Sequence, residues 1–375
     1  MSSPWREVRF GDILELQRGH DLPTGSRGAG DVPVIGSFGV TGTHDQAAYD
    51  GPGVAIGRSG AAIGTATFVE GSFWPLNTCL FVRDFKGNDP RWVYRLLQTI
   101  DFMAFNSGSA QPSLNRNFLV DITVSLPDIH EQRAIADVLA ALDDKIAAND
   151  RVVWLSGDLS ASLFAAAVRE IDYGDATFND VADVGGGGTP KTAVDDYWNG
   201  NVFWATPTDV TGLNGPYLDA TARMITEDGL SACSSSLYPR GSILMTSRAT
   251  IGAFAIAQVP MAVNQGFIVV NAKSPDLQWW LFHEMRSRVD EFVSYANGAT
   301  FLELSRGRFK KLPVRMPAES RLAAFTAVAE PLHRSAAQAQ SENHALARTR
   351  DELLPLLMAG KIRVKDAEAT LSEVL

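Results

Sequence analysis

Two stretches of this chain are written to one plan, and in each a proline follows a glycine by 19 positions. "GSAQPSLNRNFLVDITVSLP" occupies 108–127 and "GATFLELSRGRFKKLPVRMP" occupies 298–317. Each passes through a polar loop holding an Arg, reaches a Phe, ends as an apolar run closed by Pro, and is followed by a helix-length segment. The echo extends upstream. "VRFGDILELQRGHDLP" is matched by "ATFNDVADVGGGGTPK", which pairs Phe10 with Phe178 and Asp12 with Asp180. Ile63-Gly64 then meets Ile251-Gly252, and Asn77 meets Asn264. The first offset is about 168 and the second about 188, so some twenty residues are inserted in the second copy, within 198–229. A chain that repeats a mixed segment and then a helix has to fold as two copies of one unit.

Within each copy, short apolar runs at 54–56, 65–69, 79–82, 243–245, 254–257 and 267–270 are bounded by Gly, Pro and Asn, as strands are. The Gly run at 185–188 lacks a Walker Lys-Ser/Thr ending and a dinucleotide fingerprint, and is read as a flexible loop. The segments after the repeats differ in kind. From His130, residues Ile135, Leu139, Leu142, Ile146, Asn149 and Val153 step by four and three, the seam of a coiled coil. Leu322, Phe325, Ala329, Leu332, Ala336, Ala339, Asn343, Leu346, Leu353 and Leu357 continue that spacing in the second stretch, where Pro331 and Pro355 could kink or fray the helix.

Each seam carries one Asn, a residue that fixes register at some cost in stability. The two helices can pair, most simply antiparallel, or pack separately on their own domains. Forty residues of helix would span roughly 60 Å, more than the roughly 34 Å of one DNA turn. The expected layout is a mixed α/β fold with domains at 1–128 and 171–317, spacer helices at 129–170 and 318–362, and a tail at 363–375.

Composition narrows the class. At 375 residues, 45% hydrophobic and 20% charged, the chain can bury more than one core. No apolar run approaches the roughly 18 residues of a membrane span and the first residues lack a signal-peptide core, so a cytoplasmic location and no membrane partner are expected. Cys79 and Cys233 are isolated and are read as small apolar core residues. His20, His44, His130, His283, His333 and His344 are scattered without ligand spacing, so no metal is expected. The net charge of -10 argues against a simple nucleic-acid binder, although Arg306, Arg308, Lys310, Lys311 and Arg315 fall within ten residues with no acid among them. That cluster fits a solvated face and a phosphate contact equally well.

The strand and helix start "VSLPDIHEQRAIADVLAALDDKI" and the closing "ENHALARTRDELLPLLMAGKI" resemble the specificity subunit of type I restriction-modification enzymes, and the likeness covers nearly the whole chain. The resemblance implies two target recognition domains, each reading half of a bipartite site in double-stranded DNA. It also implies paired helices that set the spacing and dock two modification subunits, and it leaves open whether a restriction subunit joins them. Catalysis is then expected to be absent: no adenine-methylation motif, Walker A or HExxH occurs. No cofactor is expected in this chain, since S-adenosylmethionine would sit on the modification subunits, which flip the target adenine out of the duplex.

Direct readout uses Arg for guanine, Asn or Gln for adenine and Ser or Thr for either. The candidates in the first copy are Arg18, His20, Arg58, Ser59, Gln111, Ser113, Asn115 and Arg116. In the second they are Thr189, Lys191, Thr208, Asp209, Ser247, Arg248, Thr250, Arg306, Arg308 and Lys310. The acidic charge and Trp74, Trp204, Trp279 and Trp280 leave open a two-headed, non-catalytic adaptor for carbohydrate or protein.

Overall fold

The computed structural model describes residues 5–106, 113–297 and 302–374. The chain divides into two compact units, Met1–Lys145 with Ala345–Leu375, and Ile146–His344. Each unit therefore takes a share of both long helices, Ile129–Val168 and Glu319–Met358.

In unit 1 the four strands Glu15–Arg18, Cys79–Asp84, Gly53–Gly57 and Ala66–Val69 lie in that order and pair antiparallel. A second sheet orders Gly39–His44, Val32–Gly36 and Trp74–Pro75, the last two parallel. Ile35, Ala55, Phe73, Cys79 and Phe81 form the core cluster that joins the two sheets. The apolar end of the repeated motif, Thr123–Leu126, pairs with Arg6–Arg9. Helix Pro90–Thr99 begins at Asp89, whose carboxylate accepts from the amides of Arg91 and Trp92, and it buries Trp92 completely.

Unit 2 repeats this connectivity. Ala182–Gly185, Phe267–Ala272, Ile243–Arg248 and Thr250–Ala257 follow the same order, and Tyr217–Leu218 adds a fifth, parallel strand. The smaller sheet orders Met224–Ile225, Trp198–Ala205 and Met261–Val263, again with one parallel pair. The insertion is thereby located. Strands 32–36 and 39–44 of unit 1 are joined by Ser37 and Phe38 alone, whereas the equivalent strands of unit 2 are joined by residues 206–223, which supply the extra strand.

The seam positions behave as their spacing predicts. Leu139, Leu142, Leu346 and Leu357 are fully buried and Ile135 and Leu353 nearly so, all in unit 1. In unit 2, Asn149, Val153, Ala336, Ala339 and Asn343 are buried, and Ile146 and Leu332 are half-buried. Both asparagines bond across the pair: Asn149 Nδ2 donates to Glu342 at 2.8 Å, and Asn343 Nδ2 to Asp150 at 2.8 Å and to the Ile146 carbonyl at 3.3 Å. Arg321 reaches the Ala167 carbonyl at 3.1 Å, so numbers fall on one helix as they rise on the other and the pairing in unit 2 is antiparallel.

In unit 1, Arg350 meets Asp143 at 2.8 Å. The second helix runs unbroken through Pro331 and Pro355, both exposed, so the missing amide hydrogen bonds fall where water can satisfy the freed carbonyls. Gly360, at φ +63°, closes it, and the Lys361 amide donates back to Leu356 at 2.9 Å. The segment read as a tail continues as a helix, Val364–Val374.

By length and composition the first long helix could cross a bilayer, since one 18-residue window averages 1.2 in hydropathy. That window is 28% buried, and the seam residues Leu139, Leu142, Asn149 and Val153 of the same helix are buried in the protein.

Two sequence readings need correction. The Gly run at 185–188 is no flexible loop: Gly185 ends a strand, a Cβ at Gly187 would lie 1.8 Å from the Val263 carbonyl, and the Gly188 carbonyl accepts from Trp204 Nε1 at 3.0 Å. Close backbone approach, not mobility, requires glycine there. Cys79 is a buried core residue whose thiol is pushed up to about 12 by burial, but Cys233 is only half-buried.

One equivalent contact has changed its chemistry between the copies. In unit 1, Arg95 on helix 90–99 is ion-paired with Asp143 on the first long helix. The corresponding positions in unit 2 are His283 and His333, whose Nε2 atoms share a hydrogen bond at 2.9 Å, and His333 Nδ1 shares another with the Tyr217 hydroxyl at 2.8 Å.

Candidate nucleic-acid interface

In unit 1 the turn after strand 53–57 brings several candidates together. Arg18 Nε donates to the Asn77 carbonyl at 3.3 Å and Arg58 Nη1 to the same oxygen at 3.4 Å. Two guanidinium groups thus converge on one carbonyl. Burial, and then the nearby charge of Arg18, hold the Arg58 guanidinium below the ordinary arginine range, although it stays charged. Neither forms an ion pair with a carboxylate among the described residues, and Arg58 Nε is buried without a partner. In a chain of net charge -10, an uncompensated pair of this kind is suited to an external anion or a base edge.

The rest of the site is held by backbone. The Arg58 carbonyl accepts from the Leu114 amide at 2.8 Å, and Ser59 faces Ser113 in an antiparallel bridge, so the repeated loop is stitched beside the arginines. Ser59 Oγ lies 3.4 Å from Ser37 Oγ. His20 shares a 3.0 Å hydrogen bond with the Tyr49 hydroxyl, and its carbonyl accepts from the Asn77 amide at 3.0 Å. Arg116 is not a member of this group: its Nη1 donates to the Leu16 carbonyl at 3.0 Å, and with Lys86 it lines a separate cavity of about 310 Å³. Asn115 is exposed, and its side chain accepts from the Asn117 amide at 3.0 Å as the cap of a short 3₁₀ turn. Gln111 lies outside the described residues.

Unit 2 keeps the scaffold but not the residues. The Leu304 amide donates to the Ser247 carbonyl at 2.9 Å, the counterpart of Leu114 with Arg58. Ser247 itself is buried at 3% exposure and cannot reach a ligand. Asp209 is spent on structure. One carboxylate oxygen caps Thr206 and the other accepts from the Ala222 amide at 2.8 Å, which removes it from the candidates. Thr208 is exposed beside Thr206, with hydroxyls 3.0 Å apart.

Arg248 and Thr250 flank Ala249, at φ +61°, on an exposed hairpin tip, where Arg248 lies 3.7 Å from Glu303. Thr189 donates to Gln265 at 2.6 Å, and Lys191 is exposed. Arg306 and Arg308 are exposed and Lys310 half-buried on helix Arg306–Lys310, capped by Ser305, and none of the three is ion-paired among the described residues. Arg306 lies against Gly186, and Arg308 sits 4.8 Å from the Tyr295 ring centre. Arg315, by contrast, is bound to the fully buried Glu284 at 2.9 Å and leaves the basic cluster.

Residues 2–152, and again residues 170–321, match the family model of the type I restriction modification DNA specificity domain. The chain belongs to this family. The Type I restriction enzyme MjaIX specificity subunit of Methanocaldococcus jannaschii is 34% identical over 148 residues, 39% of this chain and 34% of that protein. The EcoR124I/EcoR124II specificity subunit of Escherichia coli is 23% identical over 223 residues, 55% of this chain and 53% of that protein. The matched regions thus span about a third to a half of the length of these curated relatives. The crystal structure of the Type-I restriction-modification system S subunit from M. genitalium matches in fold, with a TM-score of 0.66 at 15% identity over 94% of this chain and 96% of that one.

Of the four tryptophans singled out in the sequence, Trp74 is half-buried. Trp204 and Trp280 are buried, and Trp279 is stacked on His333 with ring centres 3.9 Å apart. Sequence reasoning missed Asn77 as the common acceptor of Arg18 and Arg58, and Ser37 beside it. The repeat alignment of Asn77 with Asn264 was the available signal, but an acceptor that works through its backbone carbonyl leaves no mark of residue type.

Proposed function

We propose that this chain is the DNA-reading subunit of a type I restriction-modification enzyme. Unit 1 and unit 2 each read one half of a bipartite duplex site. The paired long helices set the separation of the halves and dock two modification subunits, which carry S-adenosylmethionine and the methyl-transfer chemistry, while this chain performs no catalytic step. The assembly would work in the cytoplasm.

The observation that carries this reading is the convergence of Arg18 and Arg58 on the Asn77 carbonyl without an acid partner, in a unit whose strand order recurs in unit 2. A guanidinium fixed by one hydrogen bond keeps further donors free for guanine O6 and N7 or for phosphate. The antiparallel helix pair supports the spacer role, since its register is specified by Asn149 and Asn343.

The test is binding of the chain, mixed with its modification subunits, to duplex DNA over a range of salt. Sequence-dependent binding that weakens steeply with salt is expected. Binding that is indifferent to DNA sequence, or recovered only with oligosaccharide, would contradict the proposal.

A further inference from the structure

We propose that Phe38 is a wedge that enters the base stack of the DNA half-site read by unit 1. This inference rests on the DNA reading above and adds to it a residue, a contact and a deformation of the ligand.

Phe38 is 74% exposed and Val40 62% exposed, two of the three most exposed large apolar side chains among the described residues, and both stand at one hairpin tip. The chain reverses there within two residues, Ser37 and Phe38, between the paired Gly36 and Gly39, and Gly39 has φ +98°. An isolated exposed apolar side chain is ordinary, but two at the tip of a tight hairpin form a projecting apolar point.

The base of that point is fixed. Ser37 Oγ donates to the Thr78 carbonyl at 2.5 Å, and the Arg58 amide donates to the same oxygen at 3.2 Å. A Cβ on Gly57 would lie 2.5 Å from the Ser37 carbonyl, so only glycine admits the tip this close to the strand that ends in Arg58. On the other edge, Arg27 Nη1 donates to the Thr41 carbonyl at 3.0 Å, and its Nε is buried without a partner. The phenyl ring is therefore one residue from the Ser37 contact that ties the tip to the Arg18–Arg58 pair, with Arg27 on the opposite edge of the same hairpin.

Cations that can hold phosphates on either side of a rigid apolar projection are what a side chain needs to separate adjacent stacked base pairs, because the backbone contacts offset the cost of unstacking. The charges favour a polyanion over an apolar protein surface as the occupant. Unit 2 lacks the device, since residues 206–223 replace its two-residue tip. The wedge therefore predicts a distortion in one half-site only.

The experiment uses the chain assembled with its modification subunits and duplexes carrying the motif that this complex methylates, with 2-aminopurine placed at successive steps of both halves. Wild type should raise 2-aminopurine emission at one step of the unit 1 half and at none in the other. Phe38→Ala should abolish that rise and weaken binding by about tenfold, the order lost with one base–aromatic stack. Phe38→Trp should restore both. Unchanged emission and affinity in Phe38→Ala would overturn the wedge while leaving the DNA reading intact. Failure of Phe38→Ala to assemble with the modification subunits would overturn it in favour of a protein contact, and failure of wild type to bind any duplex would overturn the DNA reading and the wedge together.

Discussion

The buried His283–His333 pair makes unit 2 sensitive to acid, and the size of the effect follows from its surroundings. Both imidazoles are almost fully buried, at 2% and 1% exposure. Burial pushes His283 down to about 3, with His333 and then Arg286 adding repulsion, and His333 falls to about 3 through burial and Arg286. In the unfolded chain each returns to about 6.5. Folded-state values below the unfolded ones mean that the unfolded state binds more protons, so stability is full above about pH 6.5 and is lost as pH falls toward 3.

Between pH 7 and pH 5 each histidine costs about 2 kcal/mol, and the pair about 4 kcal/mol, a large share of an ordinary 5–15 kcal/mol. Hydrogen exchange of helix Gln278–Arg286, followed by mass spectrometry at the two pH values and corrected for intrinsic rate, reports this opening locally. His333→Gln keeps a donor and an acceptor but does not titrate, so it should lose about half as much as wild type over the same interval. The double variant His283→Arg/His333→Asp, which restores the ion pair used at the equivalent position in unit 1, should flatten the dependence further. A wild type whose loss equals that of His333→Gln would refute the reasoning.

Three further outcomes are expected. Arg18→Ala with Arg58→Ala should cost about 1–3 kcal/mol per lost base contact, relaxing readout of one half-site while the other is read as before; sequencing of methylated products checks this. The chain alone should bind duplex DNA weakly at physiological salt and tightly only with modification subunits, because its surplus of acid leaves most phosphate contacts to partners; titration by fluorescence anisotropy with and without partners decides it. Inserting four helix-favouring residues after Asn149 and four after Asn343 adds about 6 Å to each helix, nearly a full turn. At about 3.4 Å per base pair, the unread gap in the methylated motif should lengthen by one or two base pairs.

Those features of the fold that depend on periodicity were legible in the chain. Seam spacing from Ile135 to Leu357 predicted which residues are buried, and the two seam asparagines do bond across the pair. The jump in repeat offset placed the insertion within 198–229, and the strands narrow it to 206–223. Individual site residues were less legible, because residue type does not say which way a side chain points. Ser247 and Arg248 are neighbours on one strand, yet that strand is buried on both faces through Ser247 and emerges only at Arg248. Asp209 reads as a polar loop residue until Thr206 is seen three positions before it as a helix cap. Arg315 belongs to a basic run in sequence and to the buried carboxylate of Glu284 in space. The tertiary pair His283 and His333, fifty positions apart, had no local signature at all.

The most direct test of two specificity-domain units reading one site is methylome sequencing of cells that carry the modification subunits, with and without this chain. The account predicts a single bipartite motif, two defined half-sequences separated by an undefined gap, methylated only when the chain is present, with one half altered by Arg18→Ala/Arg58→Ala. A methylome that is identical with and without the chain, or a new motif that is continuous and undivided, would contradict it.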